Sequence, residues 1–300
     1  MPQNGLRWQL ILILLVLALI WGVNLAVVKI GARDLPPLFM AGLRSLIASL
    51  CLFIWIKIKG IAVIPSRIIL IHGMIIGLLF GLEFGCLYVG LNYTLASRAS
   101  ILLYFAPFAA AIGAHLFLKG DRLNPWKIAG LILAFVGITA LFARGLDSST
   151  LENLAGDFLS LAAGILWAAT TIYLKKYLAH RAVPLQTLFY QVFFSAPLLI
   201  VLSLILENPL DHSWTFSAGF SMIYQSIFVA FLSYLVWFEL IHRHSVSLLH
   251  AFTFFTPVFG AFISGVLILG EAVTASLVLA LSLVSMGMVL VNRQPAQPKA

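Results

Sequence analysis

The sequence predicts an all-α integral membrane protein of ten transmembrane helices, arranged as two inverted five-helix repeats with both termini cytoplasmic. Three observations carry this. Of 300 residues, 62% are hydrophobic and only 9% are charged, whereas a soluble domain carries about 25% charged residues. The apolar residues fall into ten stretches of the length a bilayer requires, about 20 residues each. Finally, a pattern of punctuating residues occurs twice: Ser97, Phe105, Pro107, Gly120, Asp121 and Gly137 return as Ser247, Phe255, Pro257, Gly270, Glu271 and Gly287. Proline and glycine are hard to replace because they act through the backbone, so their shared register points to an internal duplication.

The spans run about 9–29, 36–57, 67–91, 97–118, 125–143, 155–176, 184–206, 216–240, 246–269 and 273–291. Span 1 follows Arg7 but lacks a small-residue cleavage site, so it is expected to be a retained helix and not a signal peptide. Span 2 opens at Pro37, where a proline's missing N–H costs a helix nothing. Spans 4 and 9 carry Pro107 and Pro257 near their middles, which predicts a kink in each. Each kink should free a carbonyl four residues back, on Leu103 and Thr253. The longest gap, about 143–155, lies between the two copies. The expected organisation is a first repeat over 1–145, a periplasmic linker at 146–153, a second repeat over 154–293 and a cytoplasmic tail at 294–300.

Orientation follows from the basic residues. With the N-terminus inside, the cytoplasmic side holds Arg7, Lys57, Lys59, Arg67, Lys119, Arg122, Lys127, Lys175, Lys176, Arg181, Arg243, Arg293 and Lys299. The other side holds Lys29, Arg33, Arg98 and Arg144, and Arg44 sits within span 2. The formal net charge of +8 is therefore dispersed through short gaps and forms no arm or stripe. That distribution excludes a nucleic-acid partner. Cys51 and Cys86 lie inside spans and have neither a disulfide framework nor metal-ligand spacing.

The duplication extends to Trp21 and Lys29, matched by Trp167 and Lys175, and to Pro37, matched by Pro184. Arg44 then aligns with Gln191, and Glu83 with Ser233. Five helices per unit is an odd number, so the second copy enters from the opposite side of the membrane.

Trp21-Gly22-x-Asn24, the run from Asn92 through Pro107 and Gly120-Asp121-Arg122-Leu123 to Gly130 and Gly137, Leu166-Trp167-Ala168 with Lys175-Lys176, and Pro257 through Gly270-Glu271 together resemble the EamA-type domain of the drug/metabolite transporter superfamily. The likeness covers nearly the whole chain. It departs where Asp121 stands for the glutamate common in the family, and where Ala272 and Val273 replace the Arg and Leu that follow the acid. The resemblance implies a bacterial inner-membrane exporter of small organic solutes, amino acids prominent among them. More narrowly, it is similar to exporters of aromatic amino acids.

Glu83 is the one deep carboxylate. Ionisable groups at that depth usually face the bundle interior. It is read either as a substrate-ammonium or proton site, or as a structural partner of Arg44. Trp21 with Asn24, Trp167 with Thr170 and Thr171, Trp237 one turn from Ser233, Tyr104 one turn before Pro107, and Tyr190 beside Gln191 all place aromatic surface next to hydrogen-bonding groups. Such a lining suits a flat, amphipathic solute. Ser100, His250 and Thr253 complete the candidate substrate-binding set. Asp121 and Glu271 read as helix caps, Glu239 as an interfacial salt-bridge residue, and Gly130, Gly137 and Gly287 as packing residues at a unit interface or a dimer contact.

The function expected is alternating-access export of small metabolites, with a multidrug or cationic-metabolite exporter as the alternative and a channel or scaffold behind it. No phosphate-binding loop motif occurs, and no clustered catalytic or metal-ligating residues suggest an enzyme. No cofactor or metal is expected. The partners expected are a small-molecule substrate and the lipid bilayer, with the chain acting as a monomer or homodimer.

Overall fold

The computed structural model of the chain describes residues 8–94, 96–142, 151–208, 213–263 and 275–292. Gly270, Glu271, the linker residues 146–150 and the tail lie outside them. Span 1 is α1 (Trp8–Gly31), span 2 is α2 (Pro37–Ile58) and span 3 is α3 (Arg67–Leu91). Span 4 divides into α4 (Ala96–Leu103) and α5 (Ala106–Phe117), and span 5 is α6 (Pro125–Phe142). The second copy comprises α7 (Leu151–Tyr177), α8 (Pro184–Leu206), span 8, span 9 and α13 (Ala275–Val291). Span 8 is α9 (Phe216–Ile223), a π-helical stretch (Tyr224–Ser233) and α10 (Tyr234–Arg243). Span 9 is α11 (Val246–Phe252) and α12 (Phe255–Ala261). The described residues contain no strand. Seven spans are long and apolar enough to cross a membrane, and spans 5, 9 and 10 are shorter apolar helices there. Trp8, Trp55, Trp126 and Trp214, near span ends, are exposed.

The helices touch across the copies as well as within them. α2 and α3 lie against α8, α3 also against α7, α1 against α12, and α6 against α13. In lipid there is no hydrophobic drive between helices, so contact depends on close approach and on hydrogen bonds. α3 supplies close approach with a row of glycines four residues apart. Gly73, Gly77, Gly81 and Gly85 receive Tyr190, Phe194, Leu198 and Leu202 of α8, whose own spacing is also four. A Cβ on Gly73 would fall 2.6 Å from the Tyr190 ring, and one on Gly81 would fall 2.8 Å from Leu198.

The prolines act differently from the expected kinks. Pro107 stands in the first turn of α5 and Pro257 in the first turn of α12. The helix is broken just before each, at Tyr104–Phe105 and Thr253–Phe254. The Thr253 carbonyl is not freed, because it accepts from the Thr256 N–H at 3.0 Å. The Leu103 carbonyl lies over Gly164 of α7, where any Cβ would meet it at 2.6 Å. Proline is tolerated at a helix start, so each span becomes two short helices in series, not one bent helix.

α2 begins at Pro37, and the N-cap Pro36 has no hydrogen-bonding side chain to offer the free N–H groups. Glu207, just past α8, supplies the acceptor. Its carboxylate takes the N–H groups of Leu38 (2.9 Å) and Phe39 (3.1 Å) and the Ser203 hydroxyl (2.8 Å). Glu207→Ala is expected to lower unfolding stability by about 1–2 kcal/mol, the range of a lost N-cap. Thermal unfolding of the purified protein measures this, and an unchanged midpoint would show that water replaces the cap.

Candidate functional site

A line of rings runs through the middle of the bundle and joins the two copies. α1 contributes Trp21, whose indole meets Tyr234 edge-on at 6.0 Å and Trp237 at 5.1 Å. Trp237 meets the His250 imidazole at 5.8 Å, His250 meets Trp167 of α7 at 5.1 Å, and Trp167 meets Tyr104 at 6.4 Å. Most of these are edge-to-face contacts, the arrangement ring quadrupoles favour. Local structure explains how they converge. Gly22 lets α1 lie directly on Thr256 and Gly260 of α12. The π-helical stretch ends at Ser233, which places Ser233 and Tyr234 opposite Trp21. Tyr104 lies at the break before α5, and His250 lies within α11, three residues ahead of the break before α12; both are buried.

Hydrogen bonds fix the polar groups along this line. The Trp21 indole N–H donates to Ser233 Oγ at 2.9 Å, and the Ser233 hydroxyl donates to the Val229 carbonyl at 2.7 Å. The Thr171 hydroxyl donates to the Trp167 carbonyl at 3.1 Å, so its oxygen is free to accept from His250 Nε2 at 3.0 Å. This assigns the His250 proton to Nε2 and leaves Nδ1 a fully buried acceptor without a protein partner.

A second group lies beside Tyr234. Phe80 of α3 touches Tyr234 edge-on at 6.1 Å and Phe84 at 4.8 Å, and Phe84 continues to Tyr88 at 5.9 Å. Above Phe84 sits the Arg44 guanidinium, 4.4 Å from the ring centroid. Arg44 is 1% exposed and Glu83 6%. They are within electrostatic reach of each other and of Tyr234, yet they form no ion pair. Among the described residues the ion pairs are Arg98–Asp157, Lys127–Asp121 and Arg243–Glu239. The structural pairing with Arg44, one of the two readings of Glu83, is therefore not made. Arg44 Nε and Nη2 and Glu83 Oε2 are all buried without hydrogen-bond partners.

Trp21, Tyr104, Trp167, Thr171, Ser233, Trp237 and His250 thus come together, with Glu83 beside them. The other expected residues are placed otherwise. Tyr190 does not face the rings, because it fills the Gly73 notch of α3 and its hydroxyl donates to the Val63 carbonyl in the α2–α3 turn. Gln191 is buried, and its backbone carbonyl lies over Gly77 at the same α3–α8 seam. The Thr253 hydroxyl turns back on the His250 carbonyl at 2.7 Å, which commits it to its own turn. Ser100 is half-buried in α4, and its carbonyl takes the Tyr104 N–H. Asn24 is half-buried on α1, its Oδ1 enclosed and unpartnered. Sequence reasoning missed Tyr234 and the Phe80–Phe84–Tyr88 wall. Phe80, Phe84 and Tyr88 at spacing four, around Glu83, were the available signal.

Polar clusters lie toward both ends of the line. On the side the charge distribution assigns to the cytoplasm, Asp121 Oδ2 accepts the Ser247 N–H at the start of α11 (2.9 Å). Asp121 Oδ1 takes Lys127 Nζ (2.8 Å) and the Ser247 hydroxyl. Asp121 is a cap, but not of the helix that follows it: Asn124 caps α6 through the Lys127 N–H at 2.8 Å. Burial pushes the Asp121 carboxyl up, but its bonds from Lys127 and Ser247 outweigh burial and hold it below the usual carboxylate range. On the opposite side Arg98 and Thr94, flanking the start of α4, both bind Asp157 of α7. Glu239 pairs with Arg243 on the exposed end of α10, the salt bridge expected of it. Among the described residues no three His, Cys, Asp or Glu side chains are placed to hold a metal ion.

Comparison with known proteins agrees with this architecture. The sequence matches the EamA-like transporter family twice, over residues 8–143 and 154–293. It is 30% identical over 294 residues to the uncharacterized transporter YvbV of Bacillus subtilis, covering 96% of this chain and 93% of that one. It is 30% identical over 273 residues to a Salmonella typhimurium protein described as a probable amino-acid metabolite efflux pump, with 87% of each chain covered. A solved chain titled "Crystal structure of protein" superposes with a TM-score of 0.80, covering 95% of this chain and 96% of that one. At 21% identity that likeness concerns the fold alone.

Proposed function

The chain belongs to the EamA-like transporter family, and from that premise we propose that it is a secondary carrier exporting small organic metabolites, foremost neutral or aromatic amino acids, across the bacterial inner membrane. Both termini lie in the cytoplasm in this reading, and the units 1–145 and 154–293 rock about the ring line between them. Two copies of opposite orientation make the inward- and outward-facing states near mirror images, so they differ little in energy. A solute can then exchange them through its differential affinity.

The observation that carries the reading is the ring line itself. Trp21 and Tyr104 come from one copy, and Trp167, Trp237 and His250 from the other. Every rearrangement of the copies must therefore change the surface that faces a solute. Edge-to-face rings suit an aromatic or branched side chain, and the unpartnered His250 Nδ1 accepts from an N–H donor. Names of relatives as efflux pumps support the direction of transport. A cationic-drug exporter of the same fold is the second reading, favoured by the buried, unpartnered Glu83 carboxylate.

Counterflow in proteoliposomes separates these. The expected result is saturable exchange of phenylalanine, tyrosine or tryptophan. If these are inert while a cationic drug exchanges, the amino-acid reading falls and the carrier stands. If flux does not saturate, the chain is a channel, and a scaffold moves nothing.

A further inference from the structure

We propose that Arg44 and Glu83 together form the site that recognises the zwitterionic head group of an α-amino acid, Arg44 taking the carboxylate and Glu83 the ammonium. The inference rests on the amino-acid export reading and deepens it. A guanidinium withdrawn from water loses strong hydration, and the usual compensation is a carboxylate partner with its hydrogen bonds. Arg44 has neither. Phe84 offers its face, but Nε and Nη2 are enclosed and bond to nothing.

Those two nitrogens share one edge of the guanidinium. Their N–H groups point the same way, as a side-on fork that matches the two oxygens of a carboxylate. The unpaired edge of Arg44 is therefore the edge that binds a carboxylate. Glu83 presents the complementary vacancy, an acceptor oxygen with no donor. The two side chains are near enough to interact electrostatically but do not close on each other. A solute carrying both an anionic and a cationic group on one carbon satisfies both at once. It adds no net charge to a low-dielectric interior, whereas a pure cation meets Arg44 and a pure anion meets Glu83.

The duplication supplies an independent argument. The positions equivalent to Arg44 and Glu83 in the second copy are Gln191 and Ser233, both uncharged. The same five-helix framework is built there without either charge, so the fold does not demand them. Next to the pair, Phe80, Tyr234 and Trp21 continue as apolar ring surface. The head group would be held at the charged end and the side chain laid along the rings.

The test uses the full chain in proteoliposomes loaded with unlabelled phenylalanine or leucine, and reads inhibition of labelled counterflow by analogues. Wild-type protein is expected to accept the free amino acids. It should discriminate about tenfold or more against their amides, the corresponding amines and their N-acetyl derivatives, the cost of leaving a charged partner unmet. Arg44→Gln should lower exchange and shrink the gap between amino acid and amide. Glu83→Gln should shrink the gap to the N-acetyl derivative instead. The analogue series on wild type needs no variant to fold. If amine or N-acetyl derivative competes as well as the parent amino acid, the head-group site is refuted while the amino-acid carrier stands. If no amino acid exchanges but another solute does, the export reading fails and takes the site with it.

Discussion

Gly130→Leu is expected to cost about 3 kcal/mol or more and to leave little protein that survives extraction in folded form. Gly130 of α6 and Gly287 of α13 lie where the two helices cross, each against the other's carbonyl oxygen. A Cβ at Gly130 would also stand 2.8 Å from the Val291 backbone nitrogen, and one at Gly287 3.0 Å from that of Ala134. These obstacles are backbone, which cannot swing aside as a side-chain tip can. The helices would have to separate, and in lipid they have no hydrophobic drive to hold them together at a distance. The crossing joins span 5 of the first copy to span 10 of the second, so it is an internal seam and not a dimer contact. Gly130→Ala should cost less, about 1–2 kcal/mol, because one methyl asks for a smaller shift. Gly219 of α9 has open space where its Cβ would be, so Gly219→Ala should leave the midpoint within about 0.5 kcal/mol of wild type. Thermal unfolding in detergent reads all three. Equal midpoints for the Gly130 and Gly219 variants would show that the α6–α13 crossing does not stabilise the protein.

Much of the architecture was legible because membrane helices announce themselves by length and because proline acts locally. Pro107 and Pro257 marked corresponding breaks, although they begin short helices instead of bending long ones. The direction in which a side chain points was harder to read. A helix apolar all round has no polar face to fix its rotation, so Tyr190 looked as suitable for the ring line as Trp167. Tyr190 is claimed by the α3 glycine row, a signal available in the sequence as Gly73, Gly77, Gly81 and Gly85. The π-helical stretch over Tyr224–Ser233 has no composition that distinguishes it from an α-helix, yet it sets where Ser233 meets Trp21. Arg44 was visible as an intramembrane charge. Its lack of a partner was not, since pairing depends on distances between helices distant in sequence. Asp121 shows the same limit: spacing suggested a local cap, and the N–H it binds belongs to Ser247 of the other copy.

That contact gives the second large effect. Asp121→Ala is expected to destabilise the protein by about 3 kcal/mol, within the range for removing one partner of a buried ion pair. Asp121 is 5% exposed and holds the Ser247 N–H, the Ser247 hydroxyl and Lys127 at once. Without it the start of α11 loses its acceptor, and Lys127 keeps only the Ser247 hydroxyl at 3.0 Å. Because α11 carries His250, exchange should weaken along with stability. The pH dependence has a definite sign. Burial alone would raise the carboxyl, but the bonds from Lys127 and Ser247 bring it below its ordinary value. A carboxyl depressed on folding contributes stability that is complete above the unfolded pKa, about 4, and is lost as pH falls through the lower folded value. Between about pH 5 and 8 the contact is therefore constant, and any transport pH dependence in that range must arise elsewhere. The wild-type unfolding midpoint should fall below about pH 4, and Asp121→Asn, which cannot ionise, should flatten that acid limb. An unchanged acid limb in Asp121→Asn would mean that another carboxylate governs it.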